Sequence, residues 1–158
     1  MQNPIEVPGV ITSTFLRTAH SSTNRGKISL LDFKKLLEKK ADELKISKET
    51  LSKYLNENLS GGEKKKMEML QMLILNPKLA ILDEIDSGLD IDSLKLVANM
   101  IKKFMDKSKT LIIITHYKRI LDYLSPDKIF IMQKGKIILE GKKEIIKNIE
   151  KEGYSGIK

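Results

Sequence analysis

The sequence predicts an α/β protein in two parts: a helical region over residues 1–75 and half of a parallel-sheet core over residues 76–158. Three observations carry this. In the first part, apolar residues recur at helical spacing, most clearly over residues 29–44. Residues 79–82 and 110–115 are continuous apolar runs, the pattern of strands buried on both faces of a parallel sheet. Residues 94–105, between those runs, have the period of a helix, which completes a β-α-β unit, normally right-handed.

Each element has its own warrant. Pro4, Pro8 and Gly9 break regular structure, so residues 2–13 read as loop and turn. Residues 15–19 start a short helix, and residues 21–26 form a polar connector. Leu30, Leu31, Phe33, Leu36, Leu37, Ala41 and Leu44 then lie along a helix. Ser47 caps another short one that ends near Tyr54. The first 58 residues are therefore expected to be all-helical. Past the β-α-β unit, residues 129–133 and 136–140 form a hairpin across Lys134-Gly135. Residues 144–151 form a closing helix.

Composition bounds what such a chain does. With 158 residues, 41% hydrophobic and 32% charged, it builds a real core and is not a disordered tail. It has no cysteine, which excludes disulfides and thiolate metal sites. No apolar run reaches 18 residues, so no transmembrane segment is expected, and the start does not read as a signal peptide. The net charge of +8 raises nucleic acid as a partner, but only Arg17, Arg25 and Arg119 are arginines. The lysine pairs are scattered at positions that turn to water on helices, so they read as solvated surface and no nucleic-acid partner is expected.

Four stretches carry chemistry. In Leu59-Ser60-Gly61-Gly62-Glu63, Ser60 and Glu63 have the spacing of a capping box. A cap does not explain two consecutive glycines, which weaken a helix and let a backbone approach an anion at the helix N-terminus. Both readings stand, a cap and a phosphate-facing surface. Asp83-Glu84 ends a buried strand, at the sheet edge where α/β folds bind ligands. Either the pair simply closes the strand, or Asp83 holds Mg²⁺ and Glu84 orients or deprotonates a water. Ser87-Gly88-Leu89-Asp90 alone is a turn into the next helix. His116 after the second run is a structural residue or a donor to a phosphate or a carboxylate.

Their order is more telling than any one of them. The Gly-rich stretch precedes the acid-ended strand by about twenty residues, the short Asp loop follows at once, and the histidine comes about thirty residues later. This order resembles the signature motif, Walker B, D-loop and H-loop of the ATP-binding cassette (ABC) ATPases. Residues 4–10, 86–92, 115–123 and 152–154 further resemble SufC, the ABC ATPase family of the SUF iron–sulfur cluster assembly machinery. The resemblance runs over almost the whole chain, which begins at the Q-loop with Gln2 as its glutamine. It implies a P-loop-type ABC nucleotide-binding domain with ATP and Mg²⁺ as ligands. Gln2 and Asp83 serve the metal, Glu84 the water, and His116 the γ-phosphate. Ser60, Gly61, Gly62 and Asp90 act across a homodimer of complete cassettes. It also implies SufB- and SufD-like scaffold partners docking near residues 4–15, and a cytoplasmic or plastid-stromal setting. A transporter subunit and a non-catalytic interaction module remain the alternatives.

One part of the family pattern is missing. Gly-Lys occurs at Gly26, Gly135 and Gly141, never with Ser or Thr next or a glycine five positions before, so there is no Walker A loop. The adenine-stacking aromatic and the first core strands are missing too. The sequence then reads as a fragment of a cassette, a split or degenerate gene, or a half completed by a second chain. The expectation is negligible ATPase activity for the isolated chain and an uncovered apolar face or edge that favours association.

Overall fold

A computed structural model describes residues 4–23 and 28–146. The chain forms two compact units, residues 1–116 and 117–158. The first opens on strand β1 (Val7–Ile11), which pairs antiparallel with the two-residue β2 (Tyr54–Leu55). The expectation of an all-helical start is therefore corrected. Pro8 and Gly9 lie inside β1, Gly9 at φ 80°, and the register shifts between Val7 and Ile11. Pro and Gly here mark an irregular strand at a sheet edge rather than a loop.

Helix α1 (Thr12–Thr23) is longer than its apolar pattern suggests. Along its polar end the hydroxyls of Thr18, Ser22 and Thr23 donate to the carbonyls of Thr14, Thr18 and Ala19 one turn back, which satisfies the hydroxyls without leaving the helix. Helix α2 (Leu30–Glu43) starts at the Ser29 cap, and α3 (Lys48–Ser52) at the Ser47 cap, where the sequence puts them. Helix α4 (Gly61–Leu75) is the centre of the unit and touches α1, α2 and α5 (Ile91–Phe104). That position explains why Met67, Met69, Leu70, Met72 and Ile74 are all buried. Asn76 ends α4 in the left-handed region at φ 47°, and Pro77 prevents its continuation.

Strand β3 (Leu79–Asp83) and strand β4 (Thr110–Ile114) pair parallel and in register around α5, as the β-α-β pattern predicts. Burial departs from the prediction. Leu79, Ile81, Ile112 and Ile114 are each exposed by 46–59%, so one face of this sheet is open.

In the second unit, a 3₁₀ turn (Lys118–Asp122) buries Ile120. Strands β5 (Ile129–Gln133) and β6 (Lys136–Gly141) then form the expected hairpin. Lys134 and Gly135 both have positive φ, 48° and 75°, as a type I′ turn requires. Of the expected closing helix over residues 144–151, residues 144–146 are helical and the remainder lies outside the described residues. Among the described residues no helix is long and apolar enough to cross a membrane.

Candidate functional site

The site sits at the carboxyl ends of β3 and β4. Register pairs Asp83 with Ile114, so the residues after each strand emerge side by side. The Glu84 N–H donates to the Ile114 carbonyl at 2.8 Å, extending the ladder by one bond. Glu84 itself takes φ 49°, a left-handed conformation that costs a non-glycine residue of order 1–3 kcal/mol and occurs preferentially at functional sites. This turn aims its side chain at the residue beyond β4. Glu84 Oε1 lies 3.3 Å from His116 Nδ1, with the glutamate three-quarters buried and the histidine more open. Thus two residues 32 positions apart, each ambiguous alone, are brought together.

The next turn is equally determined. Ser87 N–H donates to the Glu84 carbonyl, and Gly88 adopts φ 71°. Asp90 then caps α5, its Oδ1 accepting from the Ser93 N–H at 2.6 Å. That backbone donor holds the Asp90 carboxyl below its ordinary range. Asp90 thus has a structural duty of its own.

Asp86 was not singled out by the sequence. It is fully buried, and its Oδ2 accepts from Thr115 Oγ1 at 2.8 Å. This bond ties the turn after β3 to the end of β4, within two residues of Glu84 and next to His116 in sequence. No local signal separates Asp86 from its neighbours Asp83 and Glu84, because the tie is to a residue 29 positions away.

The capping box at the start of α4 is complete. Glu63 N–H donates to Ser60 Oγ at 3.3 Å, and the Ser60 N–H and hydroxyl both donate to Glu63 Oε2, at 2.9 and 2.6 Å. The Ser60 hydroxyl, followed by its backbone N–H, lowers the Glu63 pKa. Gly61 and Gly62 have no part in this cap. A Cβ on Gly61 would meet nothing within 4 Å, and one on Gly62 only Leu89 at 3.9 Å. Neither packing nor a positive φ demands glycine there. An open pocket lies beside them, lined by Pro4, Gly61, Lys64, Lys65, Glu84, Ser87 and Gly88. Here the first turn of α4, two lysines and the site carboxylate face one space. The helix N-terminus and the lysines favour an anion.

The donor set suits Mg²⁺ of the phosphate-bound kind. Such an ion keeps waters and uses one or two carboxylates with phosphate oxygens. Asp83 is exposed at the strand end with Glu84 next to it. Among the described residues no three acids or histidines cluster to form an all-protein cage. Gln2, the other expected metal residue, lies outside the described residues.

Comparison with known proteins bears on this arrangement. Residues 10–87 match the ABC transporter family. A probable ABC transporter ATP-binding protein of Streptococcus pyogenes serotype M3 is 46% identical over 99% of this chain and 62% of its own length. A probable ATP-dependent transporter, ycf16, of Antithamnion sp. is also 46% identical, over 97% of this chain and 62% of its own. Vegetative protein 296 of Bacillus subtilis is 42% identical over 100% of this chain and 61% of its own. The chain therefore spans somewhat under two thirds of these relatives. Among solved structures, an ATP-binding subunit of an ABC transporter superposes with a TM-score of 0.76 at 21% identity, covering 99% of this chain and 62% of that one. A dimeric ATP-binding cassette in a post-hydrolysis state with ADP and Pi gives 0.73 at 19% identity, covering 87% and 58%. These likenesses establish the fold.

Proposed function

We propose that the chain supplies the hydrolytic and dimerising half of a SufC-like ABC ATPase, a reading supported by the match of residues 10–87 to the ABC transporter family and by a fold shared with ATP-binding cassettes. The observation that carries this is the 3.3 Å approach of Glu84 to His116 at the ends of two parallel strands. A carboxylate held by an imidazole beside an exposed aspartate suits the hydrolysis of a phosphate ester bound at that edge.

The roles we assign draw on the geometry for Glu84 and His116 and on the resemblance to the family for the remaining residues. Glu84 accepts a proton from the attacking water, or orients that water, at its carboxylate oxygen. His116 fixes the Glu84 carboxylate through Nδ1. A histidine that donates from Nδ1 also donates from Nε2 only as the imidazolium, so in this arrangement the charged ring is the one that bonds a γ-phosphate oxygen. Asp83, with Gln2, would hold Mg²⁺, whose charge would offset that of the β- and γ-phosphates. The backbone of Ser60, Gly61 and Gly62 covers the γ-phosphate of a second cassette, and Asp90 acts across the same interface.

The SufC-like reading draws on residues 86–92 and 115–123. It makes SufB- and SufD-like scaffolds the partners, in the cytoplasm or the plastid stroma. A groove between α1, α2 and α3 adjoins the expected docking segment at residues 4–15. Phe33, Leu37 and Leu51 floor it, and Arg17 and Lys34 lie on its rim. The second reading, the ATP-binding subunit of a membrane transporter, draws on the names of the relatives. Affinity capture with the tagged chain separates the two. Recovery of soluble scaffold proteins supports the first, and recovery of an integral membrane protein refutes it. Titration calorimetry with ATP and Mg²⁺ tests the nucleotide chemistry. The 158-residue chain is expected to bind no ATP, for want of a Walker A loop. Micromolar binding would overturn that account of the phosphate cradle.

A further inference from the structure

The chain leaves the sheet at two neighbouring points, after Asp83 and after Ile114, and side chains join the two departing segments twice. The ladder closes with the Glu84 N–H on the Ile114 carbonyl. Beyond it, successive residues of the second segment turn opposite ways, as in any extended chain. His116 turns outward and meets Glu84 Oε1 at 3.3 Å, with its side chain 56% exposed. Thr115 turns inward, and its hydroxyl donates at 2.8 Å to fully buried Asp86. An exposed contact thus lies beside a buried one, both between the same two segments.

The two contacts differ in what they hold. A carboxylate–imidazole contact open to water is screened and must order both side chains, so it contributes little and does not fix its own geometry. Breaking the inner bond is costly, because it takes the donor from a buried carboxyl oxygen. The inner contact is therefore the fixed point, and the outer one follows it. The link is short on both sides. Thr115 is β-branched, so bonding its Oγ1 confines χ1 to one well, and the next peptide carries His116. Asp86 lies in a turn closed by the Ser87 N–H on the Glu84 carbonyl, so the same bond locates Glu84. Glu84 needs such support, since its φ of 49° is a conformation that persists only where the surroundings over-determine it.

We infer that Asp86 and Thr115 are positioning residues, and that their buried hydrogen bond sets the approach of His116 to Glu84. Neither touches the attacking water or a phosphate in the reaction proposed above. Their bearing on hydrolysis rests on that proposal. Their hold on the imidazole does not, since it follows from burial and distance within the chain.

The 158-residue chain has only two histidines, His20 and His116, so nitrogen NMR of the labelled rings reads each separately, and His20→Gln assigns them. At one fixed pH, Glu84→Ala marks where the His116 Nδ1 signal lies once its carboxylate is gone. Thr115→Val keeps the shape and drops the hydroxyl, and it should move that signal most of the way to the same position. Thr115→Ser keeps the hydroxyl and should leave it near its original place. His20, whose ring lies 5.7 Å from that of Phe33, is the control: a variant that merely loosens the protein moves both rings, and a lost positioning bond moves His116 alone. Far-UV circular dichroism shows whether Thr115→Val is folded. If it is not, the double variant Asp86→Leu with Thr115→Val carries the test, because replacing both partners by apolar groups of similar shape orphans neither. It should give the same displaced His116 signal. A signal that stays in place overturns the inference. So does one that Thr115→Ser moves as far, or one accompanied by an equal displacement of His20. The rings are read without nucleotide, so a failure of the cassette reading leaves this result standing, and a failure here leaves that reading as it was.

Discussion

Gly61→Ala and Gly62→Ala should stabilise the protein while preventing nucleotide-dependent pairing of assembled cassettes. Both glycines are the first residues of α4, where a side chain has room: nothing lies within 4 Å of a Cβ at 61, and one Leu89 methyl lies at 3.9 Å from a Cβ at 62. Neither has a positive φ that alanine would have to strain. Glycine to alanine in a helix is worth about 0.5–1 kcal/mol in an interior position. Part of that gain comes from restricting the unfolded chain. At the first turn we take the lower end for each, so the double variant should gain about 1 kcal/mol, or a rise of about 2–4 °C in Tm for a chain of this size. Urea and thermal denaturation of the purified chain measure it. The cost appears elsewhere. A methyl at either position occupies the space a phosphate needs in order to reach the backbone, so nucleotide-dependent pairing of assembled cassettes should be lost. A double variant that unfolds more easily would show that the glycines are there for packing. One that is more stable yet still pairs normally would remove the case for an anion at this turn.

Further predictions follow from the same geometry. Thr115→Val removes the hydroxyl that donates to buried Asp86 and should cost about 1–3 kcal/mol of stability, while Thr115→Ser should recover most of it in the same denaturation assay. ATP turnover by the isolated chain should be negligible, and a measurable turnover that vanishes in Glu84→Gln would show that the chain completes its own site. Acid should weaken the protein through three depressed carboxyls, Glu63, Asp90 and Asp106, the last lowered to about 2 chiefly by the Ser108 hydroxyl. A carboxyl whose folded pKa lies below its unfolded value stabilises fully above the unfolded value and loses that contribution as pH falls through the folded one. The losses should therefore begin near pH 4.5 for Glu63 and 3.8 for Asp90 and Asp106. Glu63→Gln should flatten its share of the decline in Tm between pH 5 and 2, and an unchanged slope would contradict the assignment.

Legibility in the sequence followed the range of the interactions involved. The Ser47 and Ser60 caps act over three residues, and both helix starts were readable from them, while the start of α2 was readable from periodicity alone. The hairpin turn at Lys134-Gly135 was readable for the same reason. What joins distant segments was not. Asn56, buried and at φ 61°, donates from Nδ2 to the Ile5 carbonyl at 2.9 Å across 51 positions, and Lys64 reaches Glu6 at 2.9 Å. These contacts hold residues 5–6 against the turn before α4, alongside the β1–β2 pairing, and no periodicity in residues 1–58 announces them. Asp86 and Thr115 belong with them. Glu84 and His116 were readable only because the order of four weak motifs substituted for the missing contact.

The sheet shows a different kind of gap. Its strands read as buried on both faces, yet half of their aliphatic residues face outward. The pattern of residues 79–82 and 110–115 suits a covered sheet, and Ile81 and Ile112 match the burial they would have in a larger body rather than the burial they have here. An aliphatic residue on a strand face contributes about 25 cal/mol for each Å² it buries, so four half-exposed side chains withhold stabilisation that their identity could supply. Polar side chains would be the better choice on a face meant for water, as the alternation of half-solvated antiparallel sheets illustrates. The mismatch between what these residues are and where they lie runs along the face of the sheet that leads to the edge at which Asp83, Glu84 and His116 are gathered.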